Sequence, residues 1–270
     1  MISKTEGILQ SIVSSRKRAI AEQKSKMPEG TIERRARNYS ELPRKFLREL
    51  RAGYQKQSPA IIAEIKRASP SKGMIKENFD PQAIAKSYEE GGATCISVLT
   101  ETEFFLGSPN YIKSVKAACS LPVLRKDFIL DDYQIFESKL IGSDCILLIA
   151  AILDISDLHR LYKLAISLDL DVLVEVHNSE ELDKVLTLAP SMIGINNRNL
   201  NSFDLNLDVT IDLVEKIPSD VLVVTESGIK TRVHIEKMLS HGVYGFLIGE
   251  ALMANADPGF SSLSIDICLG

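Results

Sequence analysis

From Ala60 onward the chain repeats one unit, a short run rich in Val, Ile and Leu followed by a longer stretch with a single apolar face. The short runs cover 60–65, 94–99, 122–125, 144–149, 171–176, 192–195, 221–225 and 243–248, eight in all. Amphipathic stretches lie between them, among them Gln82–Glu90, Ser156–Ser167, Glu180–Leu188 and Thr231–Leu239. A helical crossover returns the chain to the same end of a sheet, so strands joined this way run parallel. Runs such as ILLIA at 146–150 and VLVV at 221–224 are apolar almost throughout, as strands buried on both faces are. Eight such units predict an α/β chain closed into a (β/α)8 TIM barrel, which has no sheet edges. The competing architecture, an open doubly wound sheet, usually carries a glycine fingerprint at its first turn, and GxGxxG is absent.

The 270 residues suit a barrel of about 250. Ile8, Leu9, Ile12, Val13 and Ile20 mark an amphipathic helix broken near Pro28 and Gly30, and a second helix is expected around Arg44–Leu50. The expected organisation is one structural domain: an N-terminal helical extension over 1–57, the barrel over 58–256 and a tail over 257–270. With 45% hydrophobic and 25% charged residues the chain has the composition of a folded protein. It has neither an apolar run of about 18 residues nor a signal-peptide core, so no membrane role and a cytoplasmic location are expected.

Cys95, Cys119, Cys145 and Cys268 form no CxxC pair, and His159, His177, His234 and His241 no HExxH spacing. The cysteines read as reduced packing residues, and no metal site is expected. GxxxxGK[ST] is also missing, which with the absent GxGxxG argues against a nucleotide cofactor. Charge is uneven: residues 1–57 hold 14 Lys or Arg against 6 Asp or Glu, in a chain whose total is −4. A solvated helical face is the plainer reading of that arm, and a lure for an anionic substrate the sharper one. Aromatic residues do not interleave with the basic ones, which speaks against nucleic acid.

The ends of the strands carry polar residues. In AIIAEIKRASPSKG, Ala60, Ile62, Glu64 and Lys66 share one face by the period of two, so a carboxylate and an ammonium continue a core-facing line. Burying such a pair is costly unless it has a task. The later strands end at Glu101, Lys126, Glu175, Asn196 with Arg198, Glu226 with Ser227, and Gly249. In a closed barrel these ends converge on one mouth, where crowding shifts pKa values and creates acid and base pairs. TESGI after the seventh strand and LIGEALM after the eighth place Gly228 and Gly249 where barrels bind phosphate through backbone amides. GEALMANADP reads as a short helix beside them, and Arg198 and Ser69 complete a candidate phosphate site.

Eight motifs in order, EIKRASPSKG, SVLTE, FFLGS, LRKDFI, LVEVH, GINNRNL, ESGI and LIGEALM, resemble those of the indole-3-glycerol phosphate synthases. The resemblance runs from about Ile8 to Pro258. It implies conversion of 1-(2-carboxyphenylamino)-1-deoxyribulose 5-phosphate into indole-3-glycerol phosphate, carbon dioxide and water in tryptophan biosynthesis, without a cofactor. It implies Lys126 as the acid at the ketone oxygen, with Lys66 a competing candidate, and Lys66 as partner of the substrate carboxylate. A neighbouring cation or partial burial is expected to make Lys126 a better donor.

The resemblance further implies Glu175 with Glu64 and Lys66 around the dehydration, and Asn196 as an orienting group. Glu226 and Ser227 would position substrate, Phe104 and Phe128 would wall its aromatic ring, and Ser69, Arg198, Gly228, Gly249 and Glu250 would surround its phosphate. Glu250 is expected to act through its backbone, since a carboxylate beside phosphate is unfavourable. The implied partner is thus a small phosphorylated, anthranilate-derived substrate, and no obligate protein partner is evident. Two rival readings remain at this stage: a phosphosugar isomerase or aldolase forming a Schiff base at Lys126, and a catalytically silent phosphate sensor.

Overall fold

The computed structural model describes residues 6–199 and 202–254. Cys268, Leu200 and the tail over 257–270 lie outside the described residues. Three helices come first: α1 (Glu6–Lys26), α2 (Glu29–Arg37) and α3 (Phe46–Lys56). Eight barrel strands follow: β1 (Ala60–Ile65), β2 (Cys95–Leu99), β3 (Val123–Lys126), β4 (Cys145–Ile149), β5 (Asp171–Val176), β6 (Met192–Asn196), β7 (Leu222–Glu226) and β8 (Gly245–Ile248). The helices after them are α4 (Pro81–Glu90), α5 (Pro109–Ala118), α6 (Asp132–Leu140), α7 (Ile155–Ser167), α8 (Ser179–Leu186), α9 (Asp208–Val214), α10 (Arg232–Leu239) and α11 (Glu250–Ala254).

All eight strands pair in parallel and the ring closes where β1 meets both β8 and β2. This is the expected (β/α)8 barrel. Strand bounds move by one or two residues, and one consequence is functional: Lys126, Asn196 and Glu226 belong to the strands themselves. Leu99 pairs with Lys126 and Asn196 with Glu226 in the parallel ladder, so their backbones are fixed by the barrel and not by its loops. Six of the outer helices start at a side-chain cap, Asp80, Ser108, Asp131, Asp154, Asn178 or Thr231, which accepts an otherwise unpaired backbone N–H. Those caps fix where six of the mouth loops end.

Two apolar layers result from the strand period of two. Alternate strand residues such as Ile62, Leu124, Leu147, Leu173 and Val224 fill the barrel, and the other face packs against the helices. Phe46 and Leu50 of α3 are fully buried in the inner cluster. They stop its amino-terminal end, where Asp171 accepts from the Leu47 N–H at 2.9 Å and Tyr54 bridges to Val223. The extension therefore spans both ends of the barrel: Ile8, Leu9 and Ile12 of α1 line the mouth, whereas α3 plugs the far side.

The break expected at Pro28 is present, but Gly30 lies inside a further helix, α2. The basic arm is for the most part the solvated face of the plainer reading, since most of its described Lys and Arg side chains are exposed. Arg16 is buried against Asp127, and Arg44 donates to the carbonyls of Lys116, Cys119 and Leu121, so several of its cations clamp the extension to the barrel. Among the described residues no helix is long and apolar enough to cross a membrane.

Candidate active site

At the carboxyl ends of the strands, Glu64 continues the inner face of β1, and Lys66 follows just beyond the last strand residue. The Lys66 Nζ stands 2.5 Å from Glu64 Oε1. Burial opposes the Glu64 charge, but Lys66 and Lys126 outweigh it and hold the carboxyl below its usual range. Space for this carboxylate exists because residue 249 is glycine: a Cβ there would collide with Glu64 Oε1. Gly194 does the same for Glu226, whose Oε1 a Cβ would strike. Gly194 was not singled out in the sequence, where it is one apolar-strand residue among many.

Lys126 stands at the centre. Its Nζ is 3.3 Å from Glu175 Oε2 and 3.5 Å from Glu226 Oε2. Burial alone would lower its pKa, yet Glu175, Glu226 and Glu64 outweigh burial and raise it well above the ordinary lysine range. That corrects the expectation of a lysine made more acidic by a neighbouring cation, because its nearest neighbours are carboxylates. Those two carboxylates divide in turn. Burial resists the Glu175 charge, but Lys126, His177 and a hydrogen bond from Asn196 hold its pKa far below the usual range. Glu226 is pushed up to about 8 by burial and by Glu175 and Glu64, against the pull of Lys126. Of the two carboxyls beside the Lys126 ammonium, charge and hydrogen bonding thus favour the ionised form of Glu175, and burial beside other carboxylates favours the protonated form of Glu226.

One side of the cavity is built from the loops after β6, β7 and β8. Ser227 and Gly228 both have positive φ, at 65° and 84°, in the loop after β7. Arg198 is fixed by its N–H donating to Asn196 Oδ1 at 3.0 Å. Its guanidinium reaches Glu250 Oε1 at 2.7 Å, so the Glu250 carboxylate is paired with a cation beside the cavity. Ser69, Ser71 and Gly249 share this side.

The opposite side is apolar, with Ile8, Leu9 and Ile12 of α1, Leu147 and Ile149 of β4, Phe105 and Phe128. The rings of Phe105 and Phe128 lie 5.9 Å apart between centroids. Of the candidate residues read from the sequence, Lys66, Glu64, Lys126, Glu175, Asn196, Glu226, Ser227, Phe128, Ser69, Arg198, Gly228, Gly249 and Glu250 all line this one cavity. Phe104 does not. The buried Glu101 explains the exchange of Phe104 for Phe105: its carboxylate accepts the backbone N–H groups of Glu103, Phe104 and Phe105 at 2.7–2.9 Å. This wraps the loop into a turn and sends successive side chains apart. Glu101 is therefore spent on the loop and does not line the cavity.

Ammonium and carboxylate groups gathered where eight parallel strands end are the working equipment of a (β/α)8 barrel enzyme, and the chain is of that class. A family model described as indole-3-glycerol phosphate synthase matches residues 9–261. The chain belongs to the indole-3-glycerol phosphate synthase family.

Among curated relatives, the indole-3-glycerol phosphate synthase of Polaromonas naphthalenivorans is 54% identical over 218 residues, 81% of this chain and 83% of the relative. That of Polaromonas sp. strain JS666 is 47% identical over 252 residues, covering 93% and 95%. Among solved structures, the N-acetylmannosamine-6-phosphate 2-epimerase of Clostridium perfringens has a TM-score of 0.59 at 14% identity, covering 74% of this chain and 90% of that one. Tryptophan synthase subunit alpha of Legionella pneumophila has a TM-score of 0.59 at 13% identity, covering 82% and 98%. These structural likenesses establish the fold alone.

Proposed function

We propose that this cavity closes the pyrrole ring of indole-3-glycerol phosphate, with Lys126 as the acid and Glu175 as the base. The single observation that carries the assignment of roles is the position of Lys126 Nζ, 3.3 Å from Glu175 Oε2 and 3.5 Å from Glu226 Oε2 at the centre of the cavity. Membership of the family makes the chain a carboxy-lyase of tryptophan biosynthesis, acting on a small phosphorylated substrate.

The substrate has three parts and the cavity three matching regions. Its phosphate suits Arg198, Ser69 and the loops at Gly228 and Gly249. Its aromatic ring suits Phe105, Phe128 and the α1 isoleucines. Its carboxylate suits Lys66, which leaves Glu64 to accept it.

The ring carbon bearing the carboxylate attacks the ketone carbon, and the carbonyl π electrons move to oxygen. That developing alkoxide is a strong base, so it takes a proton even from an ammonium whose pKa is raised. Preorganised positive charge at this oxygen lowers the barrier more than proton release alone. Carbon dioxide then leaves and its bonding electrons restore the aromatic ring. In the last step the hydroxyl departs as water with a proton from Lys66 or Glu226. Glu175 removes the proton from the adjacent carbon, and the new double bond completes the indole.

Reduced, buried Cys95, Cys119 and Cys145 fit a cytoplasmic location. The test is indole fluorescence on mixing with 1-(2-carboxyphenylamino)-1-deoxyribulose 5-phosphate. Lys126→Ala should lower kcat by at least about 10²-fold, the scale for a positioned acid. Wild-type turnover in this variant would remove Lys126 from the mechanism, and a borohydride-trapped adduct at Lys126 would favour Schiff-base chemistry instead.

A further inference from the structure

His177 lies two residues beyond Glu175, at the end of β5, outside the cavity lining and with a side chain only 8% exposed. Its Nε2 is 3.2 Å from Glu175 Oε1, an ion-pair contact without hydrogen-bond geometry, and its Nδ1 is hydrogen-bonded to Glu181 Oε2 at 3.0 Å. Glu181 is itself rigidly placed in the first turn of α8. It accepts the His177 backbone N–H at 2.9 Å and the Asn178 side-chain amide at 2.9 Å, while its own N–H donates to Asn178 Oδ1 at 2.9 Å. A buried imidazole between two carboxylates has no structural necessity in a barrel wall, where an apolar residue would pack at less cost.

We propose that His177 and Glu181 are positioning residues for Glu175: Glu181 orients the ring, and the ring holds Glu175 Oε1 so that Oε2 faces Lys126 and the substrate. The chain of contacts runs Glu181, His177, Glu175, Lys126 across three elements, α8, β5 and β3. This inference rests on Glu175 being the base.

The protonation balance agrees with the geometry. Burial disfavours a charged imidazole, but Glu175 and Glu181 on either side outweigh it and push His177 up to about 10. The other groups facing Glu175 are Lys126, Glu226 and the Asn196 amide, contributed by β3, β7 and β6. Lys126 binds Oε2, so His177 is the cation on Oε1. Without it Glu175 keeps only one cation and faces Glu226 and Glu64, and its pKa rises. The Glu175 carboxylate is then held by fewer contacts, and its Oε2 is less firmly aimed at Lys126 and the substrate.

The test compares His177→Asn, Glu181→Gln and Glu175→Gln with wild type. Nitrogen-15 spectra of histidine-labelled protein, with the His177 signal assigned by its loss in His177→Asn, should show an imidazolium at pH 8. His177→Asn should lower kcat about tenfold, as misplacement of a catalytic group does, with KM within about twofold. Glu181→Gln, which preserves shape, should change kcat in the same direction, again with KM little moved. A neutral His177 at pH 8 would overturn the proposal. So would wild-type kcat in both variants, including the case where only thermal stability falls. Full activity in Glu175→Gln would instead remove Glu175 as the base, and the proposal with it.

Discussion

Gly249 leaves open the space that the Glu64 carboxylate fills: a Cβ at 249 would collide with Oε1 and come within 3.1 Å of Cδ. Since Glu64 holds Lys66 at 2.5 Å, one missing side chain just after β8 sets the position of a cation just after β1. Gly249→Ala should therefore swing Glu64 away and misplace Lys66. Overpacking of this kind costs about 1–3 kcal/mol. The expected outcome is a folded protein with a lower Tm and with kcat reduced at least about tenfold, measured by thermal denaturation and indole fluorescence. Unchanged kcat would show that Glu64 relaxes without consequence for the reaction.

The Glu250 carboxylate holds the Arg198 guanidinium that the proposed phosphate site would use. In the free cavity the guanidinium is held by Glu250 Oε1 at 2.7 Å, so an arriving phosphate must share or displace that carboxylate. Arg198→Ala removes a charge-assisted hydrogen bond, a loss of about 1.5–3 kcal/mol, and should raise KM roughly tenfold or more with little change in kcat. Glu250→Gln acts in the opposite sense. It frees the guanidinium and removes a negative charge, so inorganic phosphate should inhibit several-fold more strongly. Both effects are read from competition kinetics, and weaker phosphate inhibition in Glu250→Gln would contradict the competition.

The barrel was legible because its signal is repeated eight times, and strand alternation told which residues face inward. The site was legible for the same reason: Glu64, Lys126, Glu175, Asn196 and Glu226 each end an apolar run, and topology alone brings such ends together. What the sequence does not carry is local direction. Nothing in FF says which ring turns inward, because Glu101 decides it by gathering three backbone N–H groups. The acid–base balance is also hidden, since the Lys126 neighbours come from β5 and β7, 49 or more positions away in the chain. His177 lacked any ligand spacing and drew no attention, although its period-two relation to Glu175 and four-residue relation to Glu181 were both present. Arg16 is the same case in reverse: on a helix whose other cations are mostly exposed, nothing in the sequence shows that this one has a buried partner in Asp127.

That partner makes Arg16 a measurable clamp. Its guanidinium lies 3.1 Å from Asp127 Oδ1, with side chains 4% and 0% exposed, and Asp127 also meets Arg125 at 3.0 Å. Because Arg125, the Thr100 hydroxyl and the Phe128 N–H still serve Asp127, Arg16→Met should not leave it orphaned. The loss should be that of one charged hydrogen-bond pair, about 1.5–3 kcal/mol by denaturant titration. α1 would also be released at its middle, and Ile8, Leu9 and Ile12 with it. KM should therefore rise while the far-end plug of Phe46 and Leu50 keeps the barrel folded. A stability loss without a KM change would assign α1 to folding alone.

Glu226 gives a pH dependence with a definite sign. Its folded pKa is pushed up to about 8, first by burial and then by Glu175 and Glu64, from an ordinary value of 4.5. Between those values the native carboxyl holds a proton that the unfolded chain has released, so the native state binds more protons and its stability falls as pH rises. The contribution is fully present below pH 4.5 and is lost by the time pH passes 8. Glu226→Gln keeps the shape and hydrogen-bonding capacity of the neutral acid but cannot ionise. Its stability relative to wild type should therefore grow from pH 5 to pH 8, by at most about 1.4 kcal/mol per pH unit. Urea titrations at pH 5, 6.5 and 8 measure this difference directly. A difference that stays flat would mean that Glu226 is already ionised at pH 5, and that the proton proposed for water departure comes from Lys66.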